Sequence, residues 1–309
     1  MNKTIAIDSG KYATKAITKN EYGTKKLIFR TKMDPTNEDT TTLRDSYIVT
    51  YKGKRYLIGN EAETIDFDKS KAKEIHKIAT YTAISQLINS GDQVTLVAGC
   101  PLSIFNNVED RKAYQNFMFD KGDIAITINK NTKHFTIDKI IICPEGSGII
   151  YKNPMKFKNE LVAIIDIGGL NTNCCIYNKL NPVRSSCFTT NLGANIMRNE
   201  LKQKLNSSFA DINIQDIQME DILRKGFIKS HKEESKIIIQ EYIRNHVKGI
   251  LKECIKKGWD IKNLDFVFVG GGSLLFKEEI LKEIPDAYIS ENGVFDNVEG
   301  FLEVGLARK

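Results

Sequence analysis

Apolar and polar positions along this chain fall into short strand-like runs separated by helical stretches. The first run, Thr4-Ile5-Ala6-Ile7, stops at Asp8-Ser9-Gly10. From about residue 21 to 60 polar and apolar positions alternate, and Lys52-Gly53-Lys54 marks a turn between Tyr47-Ile48-Val49 and Tyr56-Leu57-Ile58. That pattern predicts antiparallel structure in a small β-rich subdomain over about 21–70. Ile75, Ile78, Ala79, Ala83 and Leu87 recur near a period of 3.6, which predicts a helix over about 70–90, stopped by Asn89-Ser90-Gly91-Asp92. A buried strand, Val94 to Cys100, follows and precedes Pro101. Residues 108–119 read as a helix, 124–128 and 133–137 as a hairpin around Asn129-Lys130-Asn131, and 138–143 as a further strand. Glu145-Gly146-Ser147-Gly148 then opens a short helix.

The second half repeats the opening. Leu161-Val162-Ala163-Ile164-Ile165 runs into Asp166-Ile167-Gly168-Gly169, as the first strand runs into Asp8-Ser9-Gly10. A strand at Cys174 to Tyr177 turns through Asn178 to Pro182 into another near 183–189. Residues 194 to about 258 are mainly helical, with Ile239, Ile243, Val247, Ile250 and Cys254 on one face. Lys256 and Lys257 before Gly258 suit a helix C-terminus. Phe266 to Val269 enters Gly270-Gly271-Gly272-Ser273, and Val298 to Ala307 reads as a final helix. Strands alternating with helices predict an α/β fold. The expected division is a first lobe over 1–158, a second over 159–292 with a helical insertion, and a C-terminal helix over 293–309 returning to the first.

Composition narrows the functional classes. A length of 309 residues suits about two domains at roughly 150 residues each, and 41% hydrophobic content supplies a core for both. A net charge of +6 tolerates an acidic ligand but makes no focused basic patch, so direct sequence-specific DNA binding is not expected. No apolar run is long enough to span a bilayer and none precedes the first strand, which points to a cytoplasmic chain without membrane attachment. Cys100, Cys143, Cys174, Cys175, Cys187 and Cys254 show no CxxC spacing and mostly lie in or beside apolar runs, so reduced, buried thiols are expected. Cys174 and Cys175 read as core packing. The four histidines have no ligand-like spacing to the cysteines.

Three turns carry candidate chemistry. In Asp8-Ser9-Gly10-Lys11-Tyr12-Ala13-Thr14-Lys15, a carboxylate at a strand end can hold a hydrated divalent cation. Small residues there let backbone N–H groups approach phosphate, and Lys11 or Lys15 can neutralise it. In Asp166-Ile167-Gly168-Gly169-Leu170-Asn171-Thr172, adjacent glycines permit a tight cradle, and Asn171 and Thr172 add side-chain donors. Either motif alone could be an ordinary turn; recurrence at matching places in two halves counts against accident. At Gly270-Gly271-Gly272-Ser273 the absence of every Cβ lets a flat ring lie against backbone. No GxxxxGK[ST] and no GxGxxG after a strand occurs.

In this order and separation, the turns resemble the phosphate-1, phosphate-2 and adenosine motifs of the actin, Hsp70 and sugar-kinase superfamily. The size, Gly99-Cys100-Pro101-Leu102-Ser103, Pro144-Glu145-Gly146-Ser147-Gly148 and Asn297-Val298-Glu299-Gly300-Phe301 make the chain similar to the bacterial plasmid-segregation actins of the ParM type. The resemblance covers essentially the whole chain and implies a duplicated actin-like, ribonuclease H-like fold, two lobes flanking a nucleotide cleft. It implies ATP with Mg²⁺ as ligands, GTP remaining open, and Asp8 and Asp166 holding Mg²⁺ through its waters. Gly10 and Gly168-Gly169 would wrap the phosphates, and Gly193 would pass near the ribose. Glu145 would orient and activate the attacking water; its plainer reading is a carboxylate placed at a helix N-terminus. Lys11 departs from the family, which often has a small hydroxyl residue there, leaving either Lys11 or Lys15 to contact phosphate.

What the resemblance implies in function is a filament-forming ATPase that segregates plasmid DNA. Its partners would be further copies of itself, joined head to tail, and a ParR-like adaptor on centromeric plasmid DNA. The alternative is a small-molecule kinase of the same superfamily, for which Glu145 is the one well-placed base and no separate sugar-reading motif is seen. A chaperone-like binding module is a third reading, but no substrate-binding domain follows the core.

Overall fold

A computed structural model describes residues 1–66 and 71–308 of the chain. Residues 67–70, which end the expected β-rich segment and begin the helix expected from residue 70, and residue 309 of the expected C-terminal helix lie outside the described residues. The chain divides into two compact units, Met1–Met155 with Phe295–Lys309, and Lys156–Val294.

In unit 1, nine strands form one sheet: β1 (Asn2–Ser9), β2 (Ala13–Asn20), β3 (Gly23–Arg30), β4 (Met33–Pro35), β5 (Ser46–Tyr51), β6 (Lys54–Gly59), β7 (Gln93–Cys100), β8 (Asp123–Ile128) and β9 (Asn131–Pro144). Their order is β3-β2-β1-β7-β9-β8-β5-β6-β4, with β1, β7 and β9 parallel. The alternating segment 21–60 thus extends the sheet at both ends, as β3 beside β2 and as β5-β6-β4 beyond β8. Both faces of β1 are buried, so it reads as a continuous apolar run. Ile5 and Ile7 face the cluster built by the helix Glu74–Leu87, whereas Ala6 faces the cluster built by Val298, Phe301 and Leu302 of the helix Asp296–Ala307. Period-two alternation places these two helices on opposite faces of the same strands.

One correction concerns β9. The predicted break at residue 138 is absent: a single 14-residue strand pairs antiparallel with β8 through its first half and parallel with β7 through its second. The register jumps from Val94↔Ile137 to Thr95↔Lys139, so Asp138 is the extra residue of a bulge.

Unit 2 carries a sheet of β10 (Leu161–Ile167), β11 (Thr172–Asn178), β12 (Asn181–Pro182), β13 (Phe188–Thr190), β14 (Asp265–Val269) and β15 (Tyr288–Ile289). Its order is β12-β11-β10-β14-β15, with β13 paired to β11 and with β10, β14 and β15 parallel. The strand expected over 183–189 is instead a single 3₁₀ turn, Arg184–Ser186, followed by the short β13. The helices Ala194–Ser208, Asp216–Lys225 and Lys232–Lys256 supply the rest of the core. Ile239, Ile243, Val247, Ile250 and Cys254 are all buried, as their spacing predicts.

The cysteine expectation needs a second correction. Cys175 and Cys187 form a disulfide across a separation of 12 residues, while Cys100, Cys143, Cys174 and Cys254 are free and buried. The pairing of Cys174 with Phe188 brings the two bonded cysteines into adjoining positions on β11 and just before β13. Among the described residues no helix is long and apolar enough to cross a membrane.

Candidate functional site

Where parallel strands of a sheet covered on both faces end side by side, backbone groups and polar side chains collect at their carboxyl ends. In unit 1 the parallel strands β1, β7 and β9 end side by side. Asp8 lies at the end of β1, Glu145 directly follows β9, and Glu145 N donates to Cys100 O at 2.9 Å. Both carboxylates are buried.

A lysine that no motif marked joins them. Lys71 is 2% exposed; its Nζ lies 3.4 Å from Asp8 Oδ1 and touches Glu145 Oε1. Lys15, paired with Asp8 in the β1–β2 register, brings its Nζ to 3.5 Å from Asp8 Oδ2. Burial by itself would raise the Asp8 carboxyl. The charges of Lys15 and Lys71 and hydrogen bonds from Lys71 and Asn297 more than offset it, holding Asp8 at about 2. For Lys71, burial disfavours the charge, but Glu145 and Asp8 outweigh it and push the ammonium above its ordinary range. Lys71 is therefore a buried cation held by two carboxylates.

Asn297 completes this arrangement from the helix Asp296–Ala307. Its Oδ1 accepts from Gly146 N at 3.1 Å and Gly148 N at 3.4 Å, and its Nδ2 donates to Asp8 Oδ2 at 3.5 Å. One side chain thus ties the loop bearing Glu145 to the turn bearing Asp8. Behind the turn, the Ser9 hydroxyl lies 3.2 Å from His76 Nδ1 and 3.5 Å from Thr14 Oγ1, which in turn meets Thr31 Oγ1 at 2.9 Å. Burial first, then the Lys71 charge, lower His76 to about 3, so the ring is neutral. Lys11, in the turn after Gly10, lies near enough to add to that effect. Of the two candidate lysines, Lys15 is the one paired with Asp8.

Unit 2 has its own cluster. Asp166 pairs with Val269 across β10 and β14, so the Asp turn and the triple glycine begin at the same level. Gly270 has φ +86° and ψ 163°, a region essentially confined to glycine. A Cβ there would overlap Ile167 O and stand 2.5 Å from Asp166 Oδ1. Gly271, Gly272 and Ser273 start a short helix, and Ser273 Oγ donates back to Gly270 O at 2.7 Å. In the other turn Gly168 N donates to Asn171 O at 2.9 Å, and Thr172 Oγ1 donates to Leu192 O at 2.6 Å. Gly193 packs against this turn; a Cβ on it would collide with Leu170 C and Gly169 O and lie 2.5 Å from Asn171 N. Ala194 N and Asn195 N donate to Gly168 O and Gly169 O, so the start of the helix Ala194–Ser208 is anchored on the double glycine.

Within each unit the predicted residues therefore come together: Asp8, Lys15 and Glu145 in one, and Asp166, Gly168, Gly169, Asn171, Thr172, Gly193 and Gly270 to Ser273 in the other. Lys71, His76 and Asn297 were missed. Among the described residues no three His, Cys, Asp or Glu side chains converge as a metal cage. Carboxylates in ones and twos suit Mg²⁺, a hard cation that keeps several waters and takes its remaining ligands from phosphate.

Comparison with known proteins agrees with this fold. Residues 6–148 match the family model for the N-terminal domain of actin-like proteins. No curated protein matches. Among solved structures, a chain described as the Alp12 filament structure is 31% identical, with 99% of each chain covered and a TM-score of 0.75. A 15-stranded ParM filament from Clostridium botulinum is 20% identical, covering 99% of this chain and 100% of that one, with a TM-score of 0.77. The archaeal actin homologue Ta0583, in complex with ADP, is 17% identical over 99% of both chains, with a TM-score of 0.79. The last two show the actin-like fold. With 31% identity to the Alp12 filament protein over nearly the whole length, this chain belongs to the actin-like protein family.

Proposed function

We propose that this chain is an ATPase that polymerises on binding ATP with Mg²⁺ and drives the segregation of plasmid DNA, hydrolysis loosening the filament. The observation that carries the reading is the buried Asp8–Lys71–Glu145 arrangement at the carboxyl ends of parallel strands in a relative of filament-forming actins. Unit 1 would contribute Asp8 toward the metal, Lys15 and the Gly10 turn toward phosphate, and Glu145 as the base. Unit 2 would contribute Asp166 toward the metal, Gly168 and Gly169 as phosphate donors, Gly193 beside the ribose and Gly270 to Ser273 beside the base. Mg²⁺, when bound, offsets the negative charge that develops on the transferred phosphoryl group. Glu145 accepts the proton of the attacking water as its oxygen bonds to the γ-phosphorus and the bond from that phosphorus to the departing ADP oxygen breaks. The partners are further copies of the chain and a ParR-like adaptor on the centromere, in the cytoplasm.

Light scattering and electron microscopy of the purified chain with ATP and Mg²⁺ test the assembly. Filaments are expected; their absence over a wide range of protein and salt, with phosphate passed instead to a sugar, defeats the reading. Glu145→Gln is expected to slow phosphate release by about 10²–10⁴-fold while nucleotide affinity is retained. A loss of affinity with unchanged turnover would assign Glu145 to holding the ligand.

A further inference from the structure

We propose that Lys71 is an internal counter-cation that keeps divalent metal off Asp8 and Glu145 until nucleotide phosphates arrive, so that metal and nucleotide enter together. This rests on the nucleotide reading above. Lys71 is 2% exposed and contacts both carboxylates, so it is not a solvated charge that can swing aside freely. Counting Lys15, the ion pairs among the described residues here join two negative and two positive groups, so this set is already balanced. Tyr114 beside them spends its hydroxyl on Gly99 O at 3.3 Å. A bare divalent cation entering here would face an ammonium it cannot displace into water. It would also add two positive charges to a balanced, buried set of ion pairs, which is strongly disfavoured at low dielectric. Nucleotide phosphates supply the missing negative charge and the missing oxygen ligands together, and Lys71 then has a phosphate oxygen as well as a carboxylate to face.

A purely structural role, in which Lys71 only neutralises two buried carboxylates, predicts something different. Removing the lysine would destabilise the fold, and metal would have no special effect. Under our proposal the same removal uncovers a metal site. The test uses nucleotide-free chain stripped with chelator, Mn²⁺ as the probe, and two readouts: bound Mn²⁺ by electron paramagnetic resonance, and the thermal midpoint as Mn²⁺ is titrated. Wild type should bind no Mn²⁺ at this site without ADP and one per chain with it. In Lys71→Met and the milder Lys71→Gln, Mn²⁺ alone should bind at least about tenfold tighter than in wild type, a floor for removing a unit charge some 4 Å away. Its addition should also raise the lowered midpoint, and Asp8→Asn in the same background should abolish both effects. Metal binding by nucleotide-free wild type as tight as with ADP overturns the proposal, as does a folded Lys71→Met with no gain in metal affinity. If neither variant folds, the wild-type comparison with and without ADP decides alone. A wild-type chain that binds no nucleotide defeats the functional reading instead, and the metal-alone arm in the variants separates that failure from this one.

Discussion

Gly270 offers a test of how tightly the triple-glycine turn is built. Its backbone, at φ +86° and ψ 163°, lies where an L side chain costs about 1–3 kcal/mol. A methyl group there would also overlap Ile167 O and approach Asp166 Oδ1 to 2.5 Å, and forced overpacking of this kind adds about 1–3 kcal/mol. Gly270→Ala should therefore destabilise unit 2 by about 4 kcal/mol. Gly226 provides the control. It caps the helix Asp216–Lys225 at φ 77° and ψ 11°, with nothing within 4 Å of a built Cβ. Only the left-handed backbone is penalised, so Gly226→Ala should cost about 1 kcal/mol. The sole tryptophan, Trp259, is 5% exposed in the core of unit 2 and makes its fluorescence a reporter for that unit. With a urea dependence of about 2 kcal/mol per molar, the midpoint should fall by about 2 M for Gly270→Ala and about 0.5 M for Gly226→Ala. Equal shifts for the two variants would refute the argument from close approach, whatever their absolute size.

Two further outcomes follow from groups outside that turn. His76 is held neutral down to about 3, against 6.5 in the unfolded chain, so the unfolded state binds the extra proton between those values. Stability contributed here is complete above pH 6.5 and is lost as pH falls; His76→Asn should flatten the urea midpoint between pH 5 and 6.5, and an unchanged slope would place the titration elsewhere. Reducing the Cys175–Cys187 bond, or replacing Cys175 with Ser, frees a loop of 12-residue separation and should cost about 3 kcal/mol. Phe188, whose ring meets Trp259 at 5.6 Å, is the next residue, so Trp259 fluorescence should report the change; a dithiothreitol-insensitive midpoint would count against the bond.

The two Asp turns were readable because an apolar run that stops abruptly at a carboxylate and glycine has few structural uses. The strand end supplies its own punctuation. Lys71 had no such signal: it stands among Lys69, Lys73 and Lys77, a run that in sequence alone looks like a solvated face. Only the convergence of β1 and β9 turns that one lysine inward: Asp8 lies 63 residues before it and Glu145 74 residues after it. Asn297 was visible as part of a family-like segment but without a role, since its partners Gly146 and Asp8 lie 151 and 289 residues away. The break predicted in β9 arose because Asp138 and Lys139 are polar; a bulge accommodates the extra residue and lets both face solvent while pairing continues. Cys175 and Cys187 lacked any spacing rule, and β11–β13 pairing decides their proximity.

The reach of Asn297 also sets an order of events during synthesis. When the ribosome has made the chain only as far as Val294, the sequence of every strand among the described residues has been synthesised. The loop bearing Glu145 and the turn bearing Asp8 still lack the amide that links them, and β1 and β7 have one apolar face uncovered. A nascent chain would thus hold all three candidate turns, Asp8-Ser9-Gly10, Asp166 to Gly169 and Gly270 to Gly272, and yet remain without a finished carboxylate pair. Completion of the site therefore waits for the helix Asp296–Ala307.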